Sequence, residues 1–291
     1  MRRIGSLSLL VVLCVAGFQG VATPAEVSSL QIDAISVGST VTVSGTLALG
    51  TDATGPTQVG SDGSGDASAP GLGFDLGDAF VTPDLAAKRL TLALNVNDGV
   101  PGIDGIGPAA GYVWPIAFNG GDSNAWLAAG TYVSGWPPKT EKWFELCTTT
   151  DGSYTCGNVV TGSMTASKVT WTIPFNILGS ATYGATLDVG GSSPGSPAVI
   201  PWAVVSGGSS FDTVGAASYR IPGRVELGIA PAGTEESKVQ YTSGAAFNPA
   251  TSGFTVAAPT PVAGSYTVFA RSCFGNMDEP TCLKTSQPLT I

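Results

Sequence analysis

The sequence contains no histidine. That removes the commonest general base, the Ser-His-Asp and Cys-His arrangements, and the usual nitrogen ligand of zinc. Charge is also scarce. Only 11% of residues are charged, and 12 Lys and Arg stand against 21 Asp and Glu for a net charge of −9. A basic surface for nucleic acid or anionic lipid is not expected from that balance. No stretch beyond the first residues repeats apolar side chains at a helical period. No glycine-rich turn sits between a strand and a helix in a phosphate-binding pattern. A pair of carboxylates remains available for glycoside hydrolysis. The acids, however, fall in turns (Asp62, Asp66, Asp98, Asp104, Asp122, Asp151) and form no signature. The expectation is therefore a protein that is not an enzyme.

What is present begins with an address. Arg2 and Arg3 precede an apolar run, Leu7 to Phe18, and small residues follow it. The run is short for a membrane span, and the pattern reads as a secretory signal peptide cleaved after Ala22 or Ala25. Residues 1–25 are assigned to it, Cys14 among them. The remainder is expected to be secreted and extracellular, with no transmembrane anchor.

Glycine, at 40 residues, and a 43% hydrophobic content point to many short strands joined by tight turns. In LTLALNVNDGVP, Leu90, Leu92, Leu94 and Val96 share one face, and Asp98-Gly99 with Pro101 stops the run. The same grammar recurs at Thr40 to Gly50, where Gly45 falls in register with Val41, Val43 and Leu47 and suggests a bulge. It recurs again at Phe74 to Val81, Gly111 to Phe118, Ala125 to Val133 and Lys168 to Ile173. Thr51 to Gly73 reads as a loop. About ten strands make an all-β fold, a large antiparallel β-sandwich over residues 26–222. Beyond Ile221-Pro222-Gly223 the alternation restarts in VELGIA, VQYT, GFTVAAP, GSYTVFARSCF and LTI. Residues 223–291 are thus expected to form a small Ig-like or fibronectin-like sandwich. Tyr266 fits either a tyrosine corner or an ordinary core position.

Cys147 and Cys156 enclose eight residues, as do Cys273 and Cys282. In an oxidising compartment, facing positions of two local hairpins suit two structural disulfides. Ser61 to Gly71, SDGSGDASAPG, places Asp62 and Asp66 four apart around glycines. Such a loop either aims carboxylates and carbonyls at a structural Ca²⁺, with Asp75 or Asp98 completing the shell, or stays a solvated turn.

The order GDA, GLGFDLGDAFV, RLTLALNVNDGVP, YVW, WFELC and VTWTIPFNILG resembles secreted DOMON-like modules, including the carbohydrate-binding family 9 type. The resemblance implies a β-sandwich with a structural calcium near a D-x-x-G-D-like turn, matched here by Asp62 to Asp66. The segment RVELGIAPAGT to YTVFARSCFG is similar to Ig-like modules of exported bacterial proteins.

Trp171 alternates with Val169 and Ile173 and is expected in the core. Trp126, Tyr132 and Trp136 lie among Gly, Ser, Asn and Pro, where exposed rings either stack on sugar faces or pack a long loop onto the sandwich. Those three are the candidate ligand-binding residues. The sequence is thus read as a secreted, non-catalytic binding protein for carbohydrate or another extracellular surface ligand. The alternative is a structural or adhesive protein whose sandwiches act as spacers.

Overall fold

A computed structural model describes residues 27–65, 75–97, 99, 111–118, 125–134, 139–150, 153–157, 160–177, 183–189, 202–204 and 210–291. Residues 1–25, the expected leader, lie outside them. The chain opens with a hairpin, β1 (Ser29–Val37) and β2 (Thr40–Ala48). One helical turn, α1 (Thr51–Thr54), leads to β3 (Thr57–Ser61), β4 (Leu76–Asp84) and β5 (Arg89–Val96). A meander follows in β6 (Gly111–Phe118), β7 (Ala125–Ser134), β8 (Lys139–Thr150) and β9 (Ser153–Gly157). The chain then returns beside β5 as β10 (Thr161–Thr165) and β11 (Lys168–Pro174). Five short strands come next: β12 (Thr186–Val189), β13 (Trp202–Val204), β14 (Ser210–Thr213), β15 (Gly215–Ala216) and β16 (Ser218–Arg220). The last five are β17 (Arg224–Pro231), β18 (Ser243–Ala246), β19 (Gly253–Pro259), β20 (Ser265–Asn276) and β21 (Thr281–Thr290).

The fold is all-β, and every strand pairing among the described residues is antiparallel. Alternation decides which face is hidden. Leu90, Leu92, Leu94 and Val96 of β5 are fully or almost fully buried, as are Val169, Trp171 and Ile173 of β11 beside them. Their sheet runs β10-β11-β5-β4-β3-β15. Opposite it lies a sheet in the order β16-β12-β6-β7-β8-β9, with β13 paired to β6. Leu127 and Ala129 of β7 are buried between the two layers. Phe144 of β8 occupies the space where a side chain on Gly162 would stand.

The smaller sandwich draws strands from two distant parts of the chain. β19 pairs with β2 over seven residues, from Gly253↔Thr46 to Pro259↔Thr40, so β1, β2 and β19 form one layer. β18, β17, β20 and β21 form the other. Val41, Val43 and Leu47 join Val225, Leu227, Val268 and Ala270 in one continuous apolar cluster. That cluster also includes the core of the larger sandwich.

The segment expected to part the two sandwiches, Ile221 to Gly223, is a short bend between β16 and β17, which both pair with β20. Tyr219 and Arg220 pair with Asn276 and Gly275, and Glu226 to Pro231 continue along the same edge of β20 from Arg271 to Tyr266. Five residues, 221–225, therefore stand opposite three, 272–274, which is a bulge. Gly223 permits it with φ +101°, and a Cβ there would lie 2.5 Å from the Phe247 ring. Tyr183 packs edge-on against Phe175 and Phe247 at the same joint, and its buried hydroxyl donates to the Leu85 carbonyl at 2.9 Å. Strands from both sides of residue 222 thus pair with each other, and the hairpin 29–48 is grouped with the C-terminal strands rather than with those that follow it.

Three local expectations change. Gly45 does not bulge in its own strand; the extra residue is Asp33 on the partner strand, between the pairs Ile32↔Gly45 and Ala34↔Ser44. The Thr51–Gly73 loop contains β3, whose one buried apolar residue, Val59, leaves no alternation to read. VQYT is not a strand, because Val239 and Gln240 cross the outer side of β17 over Gly228; β18 begins just after it. Tyr266 is a tyrosine corner. Its hydroxyl donates to the Val262 carbonyl at 2.9 Å, and Gly264 leaves room for the ring.

Candidate functional site

The loop that the sequence offers either to calcium or to solvent is closed by a hydrogen bond from its own backbone. Gly65, with φ +84°, turns its N–H onto Asp75 Oδ2 at 2.7 Å. Asp75 is buried, and its carbonyl accepts from the Asn97 N–H at 2.7 Å. Asn97 in turn donates to the Leu76 carbonyl at 2.6 Å, in space that exists because residue 77 is glycine. Asp62 lies at the start of this loop and is half-buried. Asp66 and Asp98 lie outside the described residues. Asp62 and Asp75 supply the hard carboxylate oxygens that Ca²⁺ takes, and Asp75 already spends one oxygen on Gly65. Among the described residues, the one group of three potential metal ligands within reach of each other is Glu145, Cys147 and Cys156. Its sulfurs are joined to each other.

Both disulfides form as the spacing predicts. Cys147 faces Cys156 across β8 and β9 with Cα atoms 4.0 Å apart, and Cys273 faces Cys282 across β20 and β21 at 4.1 Å. Of the aromatic candidates, Trp126 pairs in register with Pro115 and Cys147, and Tyr132 pairs with Glu141, both within β7. Trp136 lies outside the described residues. The Asp62 loop and the aromatic segment therefore belong to different sheets of the larger sandwich.

Beside the Asp62 loop opens a cleft of about 380 Å³ lined by Gln58, Gly60, Ser61, Ala217, Asn276 and Asp278. It forms where β3 meets the turn between β20 and β21. Asn276 Nδ2 donates to the Gln58 carbonyl at 3.3 Å, and Asn276 Oδ1 accepts the Asp278 N–H at 2.9 Å. Gln58 Nε2 donates to Asp78 Oδ1 at 3.1 Å. The wall is thus an amide, a hydroxyl and a carboxylate from segments more than 200 residues apart, with two of the side chains already fixed in orientation. None of these residues stands out in the sequence, since each occupies an ordinary turn or edge position.

A second polar cluster lies on the outer side of the smaller sandwich. Glu226 accepts from Arg220 Nη2 at 2.6 Å and from Arg271 Nε at 2.7 Å. The Arg271 guanidinium stacks on Tyr241, 3.9 Å from the ring centre. Burial alone would raise the pKa of Glu226. The hydrogen bonds and charges of the two arginines outweigh it and hold the carboxyl below its usual range. With its acceptors committed to two cations, this carboxylate acts as a clamp across β16, β17 and β20, not as an acid or base.

No helix among the described residues is long and apolar enough to cross a membrane. No family model, curated protein or solved structure matches this chain.

Proposed function

We propose that the protein is an exported, non-catalytic binding protein that recognises carbohydrate or another ligand at an extracellular surface. The observation that carries this reading is the lining of the cleft beside Asp62. Gln58, Ser61, Asn276 and Asp278 offer amide, hydroxyl and carboxylate groups side by side in an open site. Such a set exchanges hydrogen bonds with a polyhydroxylated ligand, and each bond is worth little alone, so several must act together. The missing histidine and the paired cysteines support a role in binding rather than in turnover. In this reading a structural Ca²⁺ held by Asp62, Asp66 and Asp75 would steady the loop at the edge of the cleft.

The test is a glycan and cell-wall binding array on the mature protein, with and without chelator. Saturable binding that an Asn276→Ala, Asp278→Ala variant loses while its melting temperature is kept supports the cleft. Glycan-independent self-association with no saturable glycan binding overturns it in favour of a structural or adhesive role. Identical thermal melts in calcium and in chelator rule out the ion.

A further inference from the structure

The outer face of the β10-β11-β5-β4-β3 sheet takes no part in the core. Its strand register sorts the outward residues into rows. Thr161, Thr172, Thr91 and Thr82 form one row, each paired with the next across four strands. Ser163, Thr170, Ala93, Phe80 and Gln58 form the neighbouring row across five. Strands stand ~4.8 Å apart and alternate residues ~6.6 Å apart, so hydroxyl groups repeat on a regular grid and the longer row spans ~19 Å. Ser163 Oγ and Thr170 Oγ1 lie 2.7 Å apart within it.

Charge is kept to the margins of this grid. The Asp84–Arg89 ion pair borders the threonine row, and the other row is bordered by Lys168, beside Asn95, and by Asp78, which accepts from Gln58 at 3.1 Å. Phe80 points outward between buried Ala79 and Val81 and is half-buried. Its neighbour Ala93 is too small to cover the ring. On its other side stands Gln58, which also lines the cleft. The row therefore runs into the polar cleft through Gln58, with the Asp78 carboxylate beside that junction.

We infer that this face extends the cleft into a platform for a long, neutral polysaccharide chain. The chain lies along the row from Ser163 to Gln58, a sugar ring stacks on Phe80, and the threonine row hydrogen-bonds the hydroxyls along one side. An aromatic ring meets the apolar face of a sugar, and the flanking hydroxyls serve as both donors and acceptors. An anionic polymer is disfavoured by the net charge of −9. The inference rests on the carbohydrate reading of the cleft and adds chain-length dependence to it.

The full mature protein is titrated with soluble neutral glucans and chitin oligosaccharides, from disaccharide to octasaccharide. Affinity for the series that binds rises about tenfold or more from the shortest to the longest member. Phe80→Ala removes that rise while leaving disaccharide affinity and melting temperature unchanged. Phe80→Tyr keeps it, and Thr91→Val with Thr172→Val reduces it. Equal affinity at all lengths, or a rise that survives Phe80→Ala, overturns the platform and leaves the cleft intact. Absence of binding by both series overturns the platform and the carbohydrate reading together.

Discussion

Glu226 and Arg271 face each other across β17 and β20, and Arg220 reaches the same carboxylate from the far side of the 221–223 bulge. The Glu226 side chain is only 18% exposed. Replacing it with Gln leaves two guanidinium groups without a counter-charge and should cost about 1.5–3 kcal/mol. Because its folded pKa is depressed, its contribution is complete above the ordinary value of 4.5 and fades as pH falls through the lower folded value. Urea unfolding at about pH 7 and about pH 3 checks both points: the gap between wild type and Glu226→Gln narrows at the lower pH. An equal gap at both would mean that the charge is not what matters.

Gly45 is buried against its cross-strand partner Phe254, whose ring lies 2.6 Å from where a Cβ would stand. That Cβ would also collide with the Gln31 carbonyl. Gly45→Ala should therefore destabilise by about 1–3 kcal/mol or more. Phe254→Ala should not rescue it, since a backbone oxygen cannot move aside as a side chain can. Thermal melts of the two single variants and the double variant decide this, and a double variant as stable as Phe254→Ala alone would contradict it.

Tyr219 and Ser272 are completely buried, and their hydroxyl oxygens have no hydrogen-bond partner among the described residues. Burial also pushes the Tyr219 phenol well above its ordinary pKa of 10.0. An unmade hydrogen bond in a core costs about 1–3 kcal/mol, so deleting the hydroxyl removes a penalty. Tyr219→Phe and Ser272→Ala should each leave stability unchanged or raise it by about 1 kcal/mol. A loss above that size in denaturant unfolding would reveal a partner for the hydroxyl.

The grouping of strands predicts how the chain can be cut. A fragment of residues 223–291 lacks β1 and β2, so β19 loses its ladder partner and the layer it belongs to shrinks to one strand, leaving the apolar residues of the facing sheet, Val225, Leu227 and Val268 among them, largely uncovered. It should be unfolded by circular dichroism and regain structure when residues 29–48 are supplied in trans or fused to it. A folded fragment without them would show the hairpin to be dispensable.

Much of this fold is legible in the sequence where burial follows period two. β5, β11 and β17 announce themselves because one face of each is hidden and the other is wet. The disulfides are legible because both partners sit in one hairpin. The union of β2 with β19 is not, since it joins residues some 200 apart and depends on which sheet edge is left open. The cleft was missed for a related reason. Gln58, Asn276 and Asp278 acquire meaning only from their meeting, and polar residues near turns carry no periodic signal. Asp62 and Asp66 are legible as a loop because acids and glycines alternate there. Gly65 and Asn97 hold Asp75 through hydrogen bonds that no sequence pattern marks.

The successive pairing of β16 and β17 with β20 and the β2–β19 pairing give the molecule an unusual mechanical layout. The larger sandwich is spliced between β2 and β17, while β1 and β21 both belong to the smaller one, where Gln287 reaches the Ile32 carbonyl. A pulling force applied through residues 29 and 290 would load the smaller sandwich in shear and bypass the larger, which would ride beside the line of tension as an unstressed cargo.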